Sequence, residues 1–241
     1  MERRLKEILD IPVFQDDQHG TAIVAGAALL NALRLVEKDL KKVNIVINGA
    51  GSAGIAITNF LLALGAKNIT VVDRFGILVS GDSNLNSAQE AIAKLTNKTK
   101  KVGTLIDALN GADVLIGVSA ANVVSAEMIK VMSNDPIVFA LANPIPEIPR
   151  DVALAAGARV VGTGVSNLPN QINNALVFPG LFKGALEAKV KQITIEMEVA
   201  CCHALANVVT SEELNENYII PGIFHPEVVK SVSNAIINLN K

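Results

Sequence analysis

Tryptophan is absent, tyrosine occurs once, and aromatic residues make up only 3% of the 241 residues. That scarcity removes the flat side-chain platforms on which single-stranded nucleic acid stacks. A surplus of positive charge is missing too, because 21 Lys and Arg face 23 Asp and Glu, for a formal net charge of −2. Phosphate neutralisation needs such a surplus, so no nucleic acid is expected as a partner, and no polybasic membrane anchor either. Cysteine is limited to the adjacent pair Cys201 and Cys202, inside a helical stretch where neighbours are poorly placed for a disulfide. A reducing, cytoplasmic setting is therefore expected. The most apolar segment, Thr21 to Val36, is too short for a confident bilayer span and ends in the charged run Glu37 to Lys42. The opening Met1 to Asp10 mixes charges with apolar residues, so it reads as a short helix and not as a secretory signal.

What remains is core material. Half of the chain is apolar and 18% is charged, the balance of a globular protein, and one domain over 1–241 is expected. Strand-length apolar runs occur at Val43 to Asn48, Asn68 to Asp73, Asp113 to Val118, Pro136 to Leu141 and Arg159 to Val161. Helical patterns fall between them, at Ser52 to Leu64, Asn86 to Leu95, Gly103 to Asn110, Ser125 to Val131 and Arg150 to Ala156. Such alternation builds right-handed βαβ units, so the expected fold is α/β: a doubly wound parallel sheet. Beyond Pro179 the pattern becomes helical, Leu181 to Val208 and then Pro226 to Asn238, and these helices should flank the sheet. Gly76 to Ser87 reads as a long surface loop after the second strand.

The segment Asn48-Gly49-Ala50-Gly51-Ser52-Ala53-Gly54 leaves the first strand and opens a helix with Gly-x-Gly-x-x-Gly spacing. Gly49 suits the tight turn, Gly51 lets main chain approach a pyrophosphate, and Gly54 lets helix and strand pack closely. The N–H groups that begin the helix, through Ser52 and Ala53, would hold the phosphates. An acid should close the second strand to receive ribose hydroxyls, and Asp73 stands 19 residues after Gly54. Strand, glycines, helix and acid together favour a Rossmann-like dinucleotide site over a bare tight connection. Asp73 favours NAD because a carboxylate repels a 2′-phosphate, whereas Arg74 could pair with one, so NADP stays open. Ser119 and Ala120 follow a later strand, on the carboxyl edge where ligands sit in such sheets.

Three polar clusters go further. Asp16 and Asp17 sit side by side in Pro12-Val13-Phe14-Gln15-Asp16-Asp17-Gln18-His19-Gly20-Thr21. Adjacent carboxylates before a buried helix call for a cation, and hard oxygen ligands suit Mg²⁺ or Mn²⁺, although either Asp could simply cap a helix beginning near Thr21. Asn143 lies in Phe139-Ala140-Leu141-Ala142-Asn143-Pro144, and Asn173 and Asn174 lie in Pro169-Asn170-Gln171-Ile172-Asn173-Asn174, with Phe178-Pro179-Gly180 beyond. Amides bind a carboxylate without carrying charge, but each of these Asn residues taken alone fits turn or cap chemistry. His19 reads as a structural hydrogen-bonding residue.

In this order around the glycine fingerprint, the clusters resemble malic enzymes from about Ile11 to Leu186, with a fainter echo at Tyr218-Ile219-Ile220-Pro221. The resemblance implies oxidative decarboxylation of malate to pyruvate and carbon dioxide, with NAD or NADP and a divalent metal. It implies that Asp17 is a metal ligand and that Asp16 supports a catalytic Lys. It also implies that Asn143 and one of Asn173 and Asn174 bind malate beside the nicotinamide, and a homo-oligomer is expected. In the family's mechanism that Lys takes the hydroxyl proton and a Tyr protonates the enolate, and both belong to a region before the match begins. Tyr218 lies too late to be that Tyr, so the chain is expected to be inactive without an N-terminal catalytic half. The alternative is a nucleotide-binding module without catalysis. Small departures occur: Gln15 stands where bacterial relatives usually have His, Ile145 where Thr is common, Asn122 where Gly is usual, and Asn167 and Leu168 replace a frequent Asp and aromatic residue.

Overall fold

The computed structural model describes residues 2–240. It begins with α1 (Glu2–Ile8) and α2 (Asp16–Leu35), followed by β1 (Asn44–Asn48), α3 (Ser52–Leu64), β2 (Asn68–Asp73) and a two-residue β3 (Gly76–Ile77). Then come α4 (Ser87–Thr96), α5 (Leu105–Leu109), β4 (Val114–Gly117), α6 (Ala126–Lys130), β5 (Ile137–Ala140), α7 (Arg150–Ala155) and β6 (Val160–Thr163). A 3-10 turn (Asn174–Leu176) leads into α8 (Phe178–Glu187), α9 (Ile195–Ala206) and α10 (Pro226–Leu239).

The strands form one sheet in the order β3-β2-β1-β4-β5-β6, parallel except for β3. Side chains alternate faces along each strand, so both faces carry core. Ile45, Ile47, Val114, Ile116, Ile137 and Phe139 point to the side covered by α2, α3 and the C-terminal helices. Val46, Val72, Leu115, Val138 and Val161 point to the other side, against Leu109, Ile129 and Ala153. Burial of both faces explains why these strands read as unbroken runs of Val and Ile.

The segment Thr21 to Val36 proves to be buried helix, since α2 lies against α3 and α9 with apolar residues on nearly every side. No helix among the described residues is long and apolar enough to cross a membrane. Asn31, fully buried in α2, donates to the carbonyls of Ala206 and Ile219 at 2.9 Å each, which ties the C-terminal third to this central helix.

Three expectations shift. The helix foreseen near Thr21 starts at Asp16 instead, with Gln15 extended at its N-cap and no side-chain cap, so Asp16 and Asp17 occupy the first turn. The expected loop after β2 contains a strand, because Gly76 at φ +119 turns the chain back and Ile77 N–H donates to the Gly103 carbonyl at 2.9 Å. Two residues are too few to leave a periodic signal. The last strand runs on through Gly162 and Thr163, where pairing to β5 extends past the apolar run.

Candidate dinucleotide site and acidic patch

β1 and β4 are neighbours, and the connections from their carboxyl ends run in opposite directions, from β1 to β2 and from β4 to β5. A crevice opens at that switch point. It holds a cavity of about 820 Å³, lined on one side by Gly49, Ala50 and Gly51, with Asp73 and Arg74 beyond them, and on the other by Ser119 and Ala120. Gly49 has φ +127, and a Cβ there would come within 2.5 Å of the Val118 carbonyl oxygen. A Cβ at Gly54 would overlap the Gly49 carbonyl, so helix and turn touch through main chain alone. Gly51 has nothing within 4 Å of where its Cβ would be, and as N-cap of α3 it offers no side chain to the first N–H groups. The start of α3, at Ser52 and Ala53, is thus an uncapped positive pole beside open space, which an anionic diphosphate would fit.

Asp73 ends β2 at the far side of this cleft. One of its oxygens accepts the Phe75 N–H at 2.8 Å, which fixes the turn, and the residue lines the cavity. The Arg74 guanidinium lies 4.6 Å over the Phe75 ring. On the opposite wall Asn48 donates to the Ser119 hydroxyl at 3.0 Å. Asn84, Asn86, Gln89 and Thr104 also line the cavity, none of them foreseen from the sequence. A signal for two of them was present: Asn86 and Gln89 form a reciprocal capping box, and that spacing is a mark of a helix start.

The second group assembles over long distance. The Asn174 amide donates to Asp16 across 158 residues, and Gly20 makes room, since a Cβ there would run into both residues. The other Asp16 oxygen is buried and has no hydrogen-bond partner among the described residues. Burial, and then the like charge of Asp17, hold the Asp16 carboxyl above its ordinary range against the pull of the Asn174 amide. Asp17 itself is exposed. Asn173 accepts the Ala175 N–H at 2.9 Å and caps the 3-10 turn, which is the cap role open to it in the sequence. Asn143 stands exposed at the end of β5, and a Cβ at Gly164 would lie 2.8 Å from its amide nitrogen.

His19 sits between two carboxylates, 3.1 Å from Glu198 and 3.0 Å from Glu2. The Glu198 hydrogen bond raises the pKa of its imidazole, against the opposing effect of burial. Among the described residues no three His, Cys, Asp or Glu converge as a group that could hold a metal ion.

The family model of the malic enzyme NAD-binding domain matches residues 18–239. This chain belongs to that family. It is 51% identical over 237 residues to an NAD-dependent malic enzyme of Geobacillus stearothermophilus, covering 98% of this chain and 49% of that relative. A bifunctional malic/malolactic enzyme of Bacillus subtilis is 47% identical, with 58% of its length covered. The solved NAD-dependent malic enzyme of Thermotoga maritima superposes with a TM-score of 0.93 at 47% identity, over 98% of this chain and 62% of that one. The chain therefore spans about half the length of the curated relatives it matches. The Rossmann-like sheet read from the strand and glycine pattern is the fold of these malic enzymes.

Proposed function

We propose that this chain is the dinucleotide-binding part of a malic enzyme, which oxidatively decarboxylates malate to pyruvate and carbon dioxide once the other half of the molecule is present. The carrying observation is the uncapped start of α3 at Gly51, open to the cleft that Asp73 also lines. Main-chain N–H groups at Ser52 and Ala53 would bind the diphosphate, and the Asp73 carboxylate would receive the adenosine ribose hydroxyls. NAD is the preferred form, because the Asp73 charge opposes a 2′-phosphate while Arg74 is engaged by the Phe75 ring. A nicotinamide held there would supply the hydride acceptor for malate.

Ser119, Ala120 and Asn143, at the ends of β4 and β5, would orient the nicotinamide half and the substrate. Asn173 and Asn174 would offer amides to the malate carboxylate. Asp17 would hold Mg²⁺ or Mn²⁺ together with ligands from outside this chain, and such an ion polarises a carbonyl oxygen. The buried, unpartnered oxygen of Asp16 suits a cationic side chain approaching from that other half.

Calorimetric titration tests the cofactor reading: NAD should bind more tightly than NADP, and Asp73→Ala should weaken NAD by about tenfold, near 1.4 kcal/mol, and narrow the preference. A chain that bound neither dinucleotide would overturn it. Malate-dependent nicotinamide reduction should appear when an N-terminal half bearing the catalytic Lys and Tyr is supplied. Dinucleotide binding with no activity in that assembly would favour a binding module instead.

A further inference from the structure

Glu147 has no exposed surface and is the one fully buried acidic residue among those described. It sits in the turn between β5 and α7, yet its carboxylate reaches under the carboxyl ends of two neighbouring strands. One oxygen accepts the Ser119 N–H at 2.8 Å and lies 3.5 Å from the Ser119 hydroxyl. The other accepts the Ala142 N–H at 3.0 Å. The main-chain carbonyl of Glu147 accepts the Val124 N–H at 3.0 Å, so the residue holds the segment after β4 at a third point. Gly117 provides the space, since a Cβ there would lie 2.6 Å from the Glu147 carboxyl carbon.

A buried carboxylate ordinarily has a cationic partner. Glu147 forms no ion pair with a described residue, and its charge is met only by N–H dipoles and a hydroxyl. Of the two loops it joins, the one after β4 reaches the cavity, which Ser119 lines, and the one after β5 carries Asn143 directly after Ala142. With Asp73 and the α3 start taking the adenosine side, these loops border the half left for the nicotinamide. Only the oxidised form of that ring carries a positive charge.

We propose that Glu147 is a positioning residue that staples the β4 and β5 exit loops beneath the nicotinamide half of the cleft, and whose unneutralised charge biases the site toward the oxidised dinucleotide. The inference rests on dinucleotide binding in this cleft. Two effects separate in two variants. Glu147→Asp keeps the charge but is too short to reach both loops, so it should weaken NAD⁺ and NADH alike. Glu147→Gln removes the charge and presents an N–H to a main-chain N–H, so it should weaken NAD⁺ about tenfold more than NADH.

The experiment is calorimetric titration of the 241-residue chain and both variants with NAD⁺ and with NADH, alongside amide hydrogen exchange of the unmodified chain. Unmodified protein that bound neither form would bring down the cofactor reading and this inference with it. Normal binding by the unmodified chain, with an unchanged NAD⁺ to NADH affinity ratio in Glu147→Gln, would overturn this inference alone. Should Glu147→Gln fail to fold, hydrogen exchange still decides: the Ser119 and Ala142 amides must be protected in the unmodified chain, and exchange as fast as in an open loop would remove the staple.

Discussion

The dinucleotide cradle and the acidic patch around Asp16 are built on opposite plans. The cradle is local: β1, the glycine turn, α3 and β2 follow one another, and Asp73 stands 19 residues from Gly54. What it leaves open is a helix start without a side-chain cap beside a cavity. The patch joins residues 158 positions apart and keeps a buried oxygen with no partner among the described residues. A site complete in itself can be tested in this chain. A buried acceptor without a partner among the described residues calls for an explanation, and the chain covers 49% of its Geobacillus relative.

The sharpest way to break this contrast is at Gly54. Gly54→Ala drives a methyl into the Gly49 carbonyl, and because the turn cannot yield without moving the α3 start, dinucleotide affinity should fall about 100-fold, or about 2.7 kcal/mol. Calorimetry showing unchanged affinity would mean that the turn is not the cradle.

A control lies at the opposite edge of the sheet, where Asp113 pairs with Lys38 at 2.8 Å and accepts from Ser133 at 2.6 Å and from the Asn44 N–H at 2.9 Å. Burial alone would raise the Asp113 pKa, but these partners outweigh it and hold the carboxyl below its ordinary range. A lowered folded pKa means stability that is full above the unfolded value and lost as pH falls through the folded one. Asp113→Asn should therefore cost about 1–2 kcal/mol near neutrality with the penalty shrinking in acid, and leave dinucleotide affinity unchanged. Chemical denaturation across pH reads the first effect and titration the second. Loss of binding would show that the cradle depends on the far edge after all.

The smallest effect belongs to the patch. Asn174→Ala leaves both Asp16 oxygens without the amide, at a cost of about 1 kcal/mol in the isolated chain. Denaturation midpoints test it. A penalty several times larger would mark the patch as a structural element and not as an unfinished site.

Much of the fold was readable because its signals are local. Gly49 and Gly54 are demanded by main-chain contacts, with the Val118 and Gly49 carbonyls, Gly51 leaves open the space beside the helix start, and Val and Ile runs mark strands buried on both faces. The two-residue β3 was invisible for want of length, and the α2 start was misplaced because its acidic first turn looks like a capping turn. In the candidate cleft, the spacing of Asn86 and Gln89 marks a helix start in the sequence but not a cavity wall. Glu147 gave no comparable sign, since an acid between Pro146 and Pro149 reads only as a turn.

By itself, then, the sequence determined the parallel sheet, the glycine turn and the acid that ends β2, because hydrophobic period and main-chain sterics act over a few residues. Tertiary structure alone decided that Asn174 meets Asp16, that Asn31 ties α2 to the C-terminal segment, and that Glu147 joins two strand ends. Those pairings bring together groups far apart in the chain, and no local preference of either residue encodes its partner. Only the packing of helices on the sheet sets such distances.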